Sequence, residues 1–127
     1  MAAGDVTVSK YPSDGSPFAS GVVVCDADTA INVQVGFQPS MIKLYYKDAG
    51  DTLNAVLTWF TGMTAGYYFK DVGGTMTLET SGGPIVYAGG MTITEATGAK
   101  TYYNEGFTIP AGLMDNDADS IYFEVHL

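Results

Sequence analysis

The side chains able to carry acid–base, nucleophilic or metal chemistry are few and widely separated. His126 is the only histidine and Cys25 the only cysteine, and no motif sets either beside a partner as a nucleophile and its base are set. One histidine and one cysteine also fall short of the three or four ligands that zinc takes. Asp26 with Asp28, and Asp48 with Asp51, are carboxylate pairs of the kind that act on sugars, yet both stand in turn-like sequence and read as solvated loop acids. "MDNDADS" places Asp115, Asp117 and Asp119 at alternate positions, as a calcium loop of the helical-hand type begins. The second half departs from that loop: Ser120 stands where glycine is needed, His126 where a glutamate is needed, and a strand pattern follows in place of a helix. "ATGAKT" lacks the adjacent Gly-Lys of a phosphate-binding loop. The residues therefore give no catalytic group, no established metal site and no cofactor, and the run from Asp115 to Asp119 reads as an acidic hairpin loop, with a non-helical divalent site as the alternative.

Composition narrows the class further. The chain has 127 residues, 46% hydrophobic and 15% charged, with 14 acidic residues against 5 basic ones, all lysine, and a net charge of −9. That length favours one domain, and the hydrophobic share is enough for a core. The negative charge repels phosphate backbones and anionic surfaces, so neither nucleic acid nor membrane is an expected partner. No apolar run nears the roughly 20 residues of a spanning helix. The first residues lack a basic start followed by an apolar stretch, which implies cytoplasmic synthesis. Cys25, in the apolar run "GVVVCDAD", reads as a small buried hydrophobe.

The elements that would position any site are strands. Ile31, Val33, Val35 and Phe37 alternate with polar positions, as do Ile42, Leu44 and Tyr46, then Ala55, Leu57 and Trp59, and finally Ile121, Phe123 and Val125. Glycine pairs at Gly73-Gly74, Gly82-Gly83 and Gly89-Gly90 punctuate short runs and predict a meander of hairpins. No window holds apolar residues at helical spacing between caps. In "VQVGFQPSMIKLYY", Gly36 allows a bulge, Phe37 plugs the end of the core and Pro39 stops sheet pairing. "EGFTIPAG" is expected to do the same at the other end of the fold. The fold class is all-β: an antiparallel β-sandwich, jelly-roll-like, over residues 19–127, with a barrel as the alternative. The core is expected to hold Val33, Val35, Phe37, Ile42, Leu44, Leu57, Trp59, Phe107, Phe123 and Val125.

Residues 1–18 differ in character. Pro12, Gly15 and Pro17 interrupt any strand, while Val6, Val8, Tyr11 and Phe18 offer spaced apolar groups. Two readings follow, a loose tail or edge strand folded onto the chain's own domain and an extended arm that reaches a neighbour, and residues 1–18 are expected to form an extended N-terminal arm. The doublets Tyr45-Tyr46 and Tyr102-Tyr103, and the run Tyr67-Tyr68-Phe69, place rings on both faces of a strand, and only one face is core. Tyrosines left outside suit a protein interface or the stacking of sugars. The candidate contact residues are Val6, Val8, Tyr11, Phe18, Tyr45, Tyr67 and Tyr102.

The order "VQVGFQPSMIKLYYKD", the tryptophan strand "AVLTWFTGM", glycine-rich hairpins and "EGFTIPAGLMDNDADSIYFEVHL" resembles small virion proteins of tailed bacteriophages. The likeness runs from about Gly21 to Leu127 and is carried by a GF-x-P strand break and a late GF-x-I phrase before a final aromatic strand. It implies a non-enzymatic protein of the capsid decoration or cement type, located on the outer surface of the assembled head. The partners implied are the major capsid protein and copies of the chain itself. A tail-fibre, tail-tip or carbohydrate-binding module that contacts host glycans is the competing expectation.

Overall fold

The computed structural model describes residues 4–10, 18–48, 50, 52–87, 90–95, 98–103, 105–114 and 119–127. The chain is all-β. In order, its strands are β1 (Val6–Lys10), β2 (Phe18–Val24), β3 (Ile31–Gln34), β4 (Met41–Lys47), β5 (Leu53–Phe60) and β6 (Tyr68–Val72). There follow β7 (Thr75–Glu79), β8 (Ile85–Tyr87), β9 (Gly90–Glu95), β10 (Gly98–Tyr103), β11 (Gly106–Ile109) and β12 (Ser120–His126), with one 3-10 turn at Ala111–Leu113. A seven-stranded sheet runs β1-β2-β12-β4-β5-β6-β7, a three-stranded sheet runs β3-β11-β8, and β9 pairs with β10 apart from both. The strand pairs are antiparallel.

Alternation places the core. On β4 the residues Ile42, Leu44 and Tyr46 are buried between partly exposed neighbours, and on β12 the buried set is Ile121, Phe123 and Val125. Val33 and Ile31 of β3, with Phe107 and Ile109 of β11, supply the other side. The two sheets meet where the Phe107 and Phe123 rings pack edge to face, with centroids 5.6 Å apart. That geometry suits the charge distribution of aromatic rings and adds about 0.5–1.5 kcal/mol beyond the area buried. Cys25 is fully buried, in keeping with its apolar sequence context.

Three expectations need correction. The two Gly-Phe phrases are not at opposite ends of the fold: β11 pairs directly with β3, with Gly106 opposite Gln34 and Phe107 opposite Val33. The carbonyl of Glu105 accepts from the N–H groups of both Val35 and Gly36, at 3.1 and 3.0 Å. This shared acceptor lets the chain swing away at Gly36, whose φ is +86°, and Phe37 then turns into the core while Pro39 ends the excursion before β4. The Gly73-Gly74 pair closes a hairpin, β6 to β7. The pair at Gly82-Gly83 carries the chain from one sheet to the other, and β8 pairs with β11 instead of with β7 or β9. Gly89 lies outside the described residues. Trp59, finally, is only half-buried and packs against the edge of the core.

The N-terminal stretch takes its edge-strand form over Val6–Lys10, which pairs with β2, and Val6 and Val8 pack on the domain's own core. Among the described residues no helix is long and apolar enough to cross a membrane.

Burial ranks the expected losses. Phe107→Ala, at a fully buried site in the sheet-to-sheet contact, should cost about 3–5 kcal/mol, and Trp59→Ala distinctly less. Gly106→Ala should also destabilise, because a Cβ there would stand 1.9 Å from the Val33 carbonyl oxygen. Urea midpoints at equal m-values check this order, and a larger loss for Trp59→Ala than for Phe107→Ala would contradict it.

Candidate functional site

The outer face of the seven-stranded sheet brings aromatic and polar side chains together. Because directly paired residues of an antiparallel sheet project to one side, the register lists its members. One row crosses the sheet as Val22, Tyr122, Tyr45, Val56, Asp71 and Met76. The next runs Ser20, Glu124, Lys43, Thr58, Phe69 and Leu78. A third, shorter row holds Phe18, His126, Met41 and Phe60. Rings stack along it: Phe18 with His126 at 5.5 Å and, across rows, Phe60 with Phe69 at 6.0 Å.

A small polar network crosses the middle of this face. The Tyr45 hydroxyl donates to Glu124 Oε1 at 2.7 Å, the Lys43 ammonium lies 5.6 Å from the centre of the Tyr45 ring, and His126 Nε2 stands 3.9 Å from Glu124 Oε2. Burial, then the hydrogen bond to Glu124 and its negative charge, push the Tyr45 phenol up to about 12. Beside it lies a shallow depression of about 360 Å³ lined by Ser20, Val22, Tyr45, Tyr122 and Glu124. Aromatic walls with a carboxylate at one side suit a contact made of rings and hydroxyls.

A second cleft, of about 330 Å³, opens on the opposite face where the smaller sheet stops, between Tyr46, Leu57, Tyr68, Lys70 and Leu113. Its tyrosines are structural: the Tyr46 hydroxyl donates to the Leu113 carbonyl, and Tyr68 is buried, its phenol raised by that burial and by Glu79.

The residues singled out in the sequence divide among these surroundings. Phe18 and Tyr45 share the outer face. Val6 and Val8 face the core. Tyr67 sits just before β6, its N–H bonded to the Thr64 carbonyl at 3.0 Å in a turn. Tyr102 belongs to β10, opposite Met91, and its side chain, like Tyr11, Asp51, Asp115 and Asp117, lies outside the described residues. Asp48 Oδ1 accepts from the N–H groups of Gly50 and Thr52, both at 2.9 Å, so this acid shapes the β4–β5 turn. Among the described residues no group of three metal-ligating side chains gathers.

Tyr122, 47% exposed, and Phe60, 43% exposed, belong to the surface but were not among the candidates read from sequence. The signal was present for Tyr122, since the alternation of β12 turns it away from Phe123.

No family model matches this sequence, and comparison with curated proteins and with solved structures finds no match.

The network makes a direct expectation about titration. Glu124→Gln should lower the Tyr45 pKa from about 12 while leaving it above the ordinary value, because burial remains. A folded-state phenol that holds its proton more tightly than the unfolded one stabilises the fold below the unfolded pKa near 10, and that stabilisation is lost as pH rises through about 12. Ultraviolet difference titration of wild type, Glu124→Gln and Tyr45→Phe measures this, and an unchanged late phase in Tyr45→Phe would assign it to another tyrosine.

Proposed function

We propose that this chain is a non-enzymatic structural protein of a tailed-bacteriophage virion, a decoration or cement protein that binds the outer surface of the assembled head. The observation that carries the reading is the outer face of the large sheet, where Phe18, Tyr45, Tyr122, Phe60 and Phe69 lie on one side of a rigid scaffold. Aromatic groups on strands lose little freedom on contact, and such residues anchor protein interfaces. The partners on this reading are the major capsid protein and neighbouring copies of the chain. The net charge of −9 keeps such a protein off the packaged nucleic acid. The same proposal takes the two packed sheets as an antiparallel, jelly-roll-like β-sandwich. It assigns the arm function of residues 1–18 to the segment around Tyr11, since Val6 and Val8 are committed to the core.

A decoration protein acts by mass action: it binds the assembled shell better than free subunits and so raises the temperature at which particles break. Shells prepared without the chain, then mixed with it, should carry it down on sedimentation and release DNA at a higher temperature. Tyr122→Ala is expected to weaken cosedimentation by about tenfold without moving the urea midpoint, a loss of about 1.4 kcal/mol in binding. A wild-type chain that stays in the supernatant overturns the reading.

The Tyr45–Tyr122 depression beside Glu124 favours one second reading, a module that holds host glycans, with rings stacking on sugar faces and the carboxylate accepting hydroxyls. Retention of the chain on host polysaccharide, lost in Tyr122→Ala, together with no binding to shells, selects that reading.

A further inference from the structure

β7 ends the large sheet beyond β6, whose Tyr68 is still buried in the core. Thr75 through Leu78 are all exposed, so both faces of β7 are open. Met76 and Leu78, 64% and 52% exposed, continue the outer face. β7 is the last strand of its sheet, and among the described residues nothing pairs with its far edge. A strand open on both faces gains little from burial, and a bare edge with apolar side chains is a template for another strand.

The turn fixes which backbone groups face outward. Val72 and Thr75 flank the two-residue turn Gly73-Gly74, whose φ angles of +60° and +90° belong to a type I′ hairpin. The residues flanking such a turn exchange both hydrogen bonds, and bonded and non-bonded pairs then alternate along the ladder. Thr75, Thr77 and Glu79 therefore turn their backbone groups toward β6. Met76 and Leu78 turn theirs to the open edge.

We propose that the occupant of this edge is β7 of a second copy, antiparallel and centred on Thr77, so that the large sheets of two copies join across a twofold axis. In that register Met76 faces the partner's Leu78 on the outer side, and the outward groups of both residues pair in about four hydrogen bonds. A shift of one residue sets outward groups against inward ones. A shift of two sets Met76 or Leu78 against itself and leaves the other facing the end of the strand. Glu79, the one charged residue of β7, falls opposite the partner's Thr75, so like charges do not meet. The far edge of the sheet is a poorer match, because β1 breaks register between Val8 and Lys10, and a β7-to-β1 contact would propagate without closing. The pairing specifies the self-association surface within the proposed shell protein but needs no shell to form.

Cysteine crosslinking tests the register. Thr77 would face its symmetry mate as a non-bonded pair with Cα atoms about 4.5 Å apart, within the span of a disulfide. Thr77→Cys should form a covalent dimer under mild oxidation. Thr75→Cys, which faces the partner's Glu79, and the wild type, whose Cys25 is buried, should stay uncrosslinked. Leu78→Pro removes an outward N–H and leaves the bonds to β6 intact, as proline on an edge allows. By sedimentation velocity it should weaken the wild-type dimer by about tenfold or more. A wild-type chain that remains monomeric at about 100 μM, or a Thr75→Cys chain that crosslinks as readily as Thr77→Cys, overturns the proposal. A dimer with the expected crosslink that fails to sediment with shells supports the edge pairing and counts against the shell reading alone.

Discussion

The contact between Phe107 and Phe123 is the constraint on which the arrangement depends, because it is where the smaller sheet is held against the larger one. Each ring needs a flat place beside it. At Gly21, opposite Phe123 in the ladder, a Cβ would stand 2.7 Å from the phenylalanine ring and 2.0 Å from the Thr7 carbonyl oxygen. At Gly106, next to Phe107, a Cβ would meet the Val33 carbonyl at 1.9 Å. Two strand glycines outside the positive-φ set thus serve close approach, a different use from the positive φ of the hairpin pair. Remove either clearance and the strands must part before the rings can meet.

Phe123 also ties this contact to the order of the large sheet. β12, the last strand, lies between β2 and β4, so the halves built from β1-β2 and from β4 through β7 touch through a strand that is reached only after all the others. Val125 lies opposite both Ala19 and Ile42, pairs separated by most of the chain. Such long-range closure carries a loop entropy that local contacts do not offset, and it predicts slow, cooperative folding in which β12 and the inter-sheet contact form together. The neighbouring turns reinforce that strand: Ser40 donates through both its N–H and its hydroxyl to the His126 carbonyl, and the Cys25 N–H donates to the Asp119 carbonyl.

How much of this was legible in the sequence depends on the kind of information asked for. Alternation reports which side of a strand is buried, so the inward sets on β4 and β12, and the burial of Val33, Val35 and Phe37, could be read residue by residue. It does not report which strands are neighbours. The two Gly-Phe phrases looked like equivalent plugs at two ends because each has the same local chemistry, whereas in space they form adjacent parts of one ladder. Glycine pairs signal a backbone that turns, and only pairing tells a hairpin such as Gly73-Gly74 from a crossing such as Gly82-Gly83. Trp59 alternates correctly with its strand and is still only partly buried, packed against the core cluster and not within it. Among the contact candidates, Val6 and Val8 were apolar and spaced for exposure or for an edge strand alike, and the ladder to β2 decided between the two.

That mismatch in width, seven strands against three, is what leaves the domain with surfaces to use. Where the layers overlap, the inner face is consumed by the core, and the outer face remains free on a scaffold fixed from both sides. At the end of the large sheet β6 is held by three register pairs with β5, from Val56–Asp71 to Thr58–Phe69, and by the buried Tyr68, while β7 is exposed on both faces. The first region is backed by the packed core and suited to presenting rings on its outer side. The second is the least buried part of the large sheet and gains most from being covered. Contact through the outer face and extension through the β7 edge are therefore compatible in one molecule: joining two edges leaves Tyr45 and Tyr122 uncovered, and it continues the row that ends at Met76 into a second outer face lying on the same side.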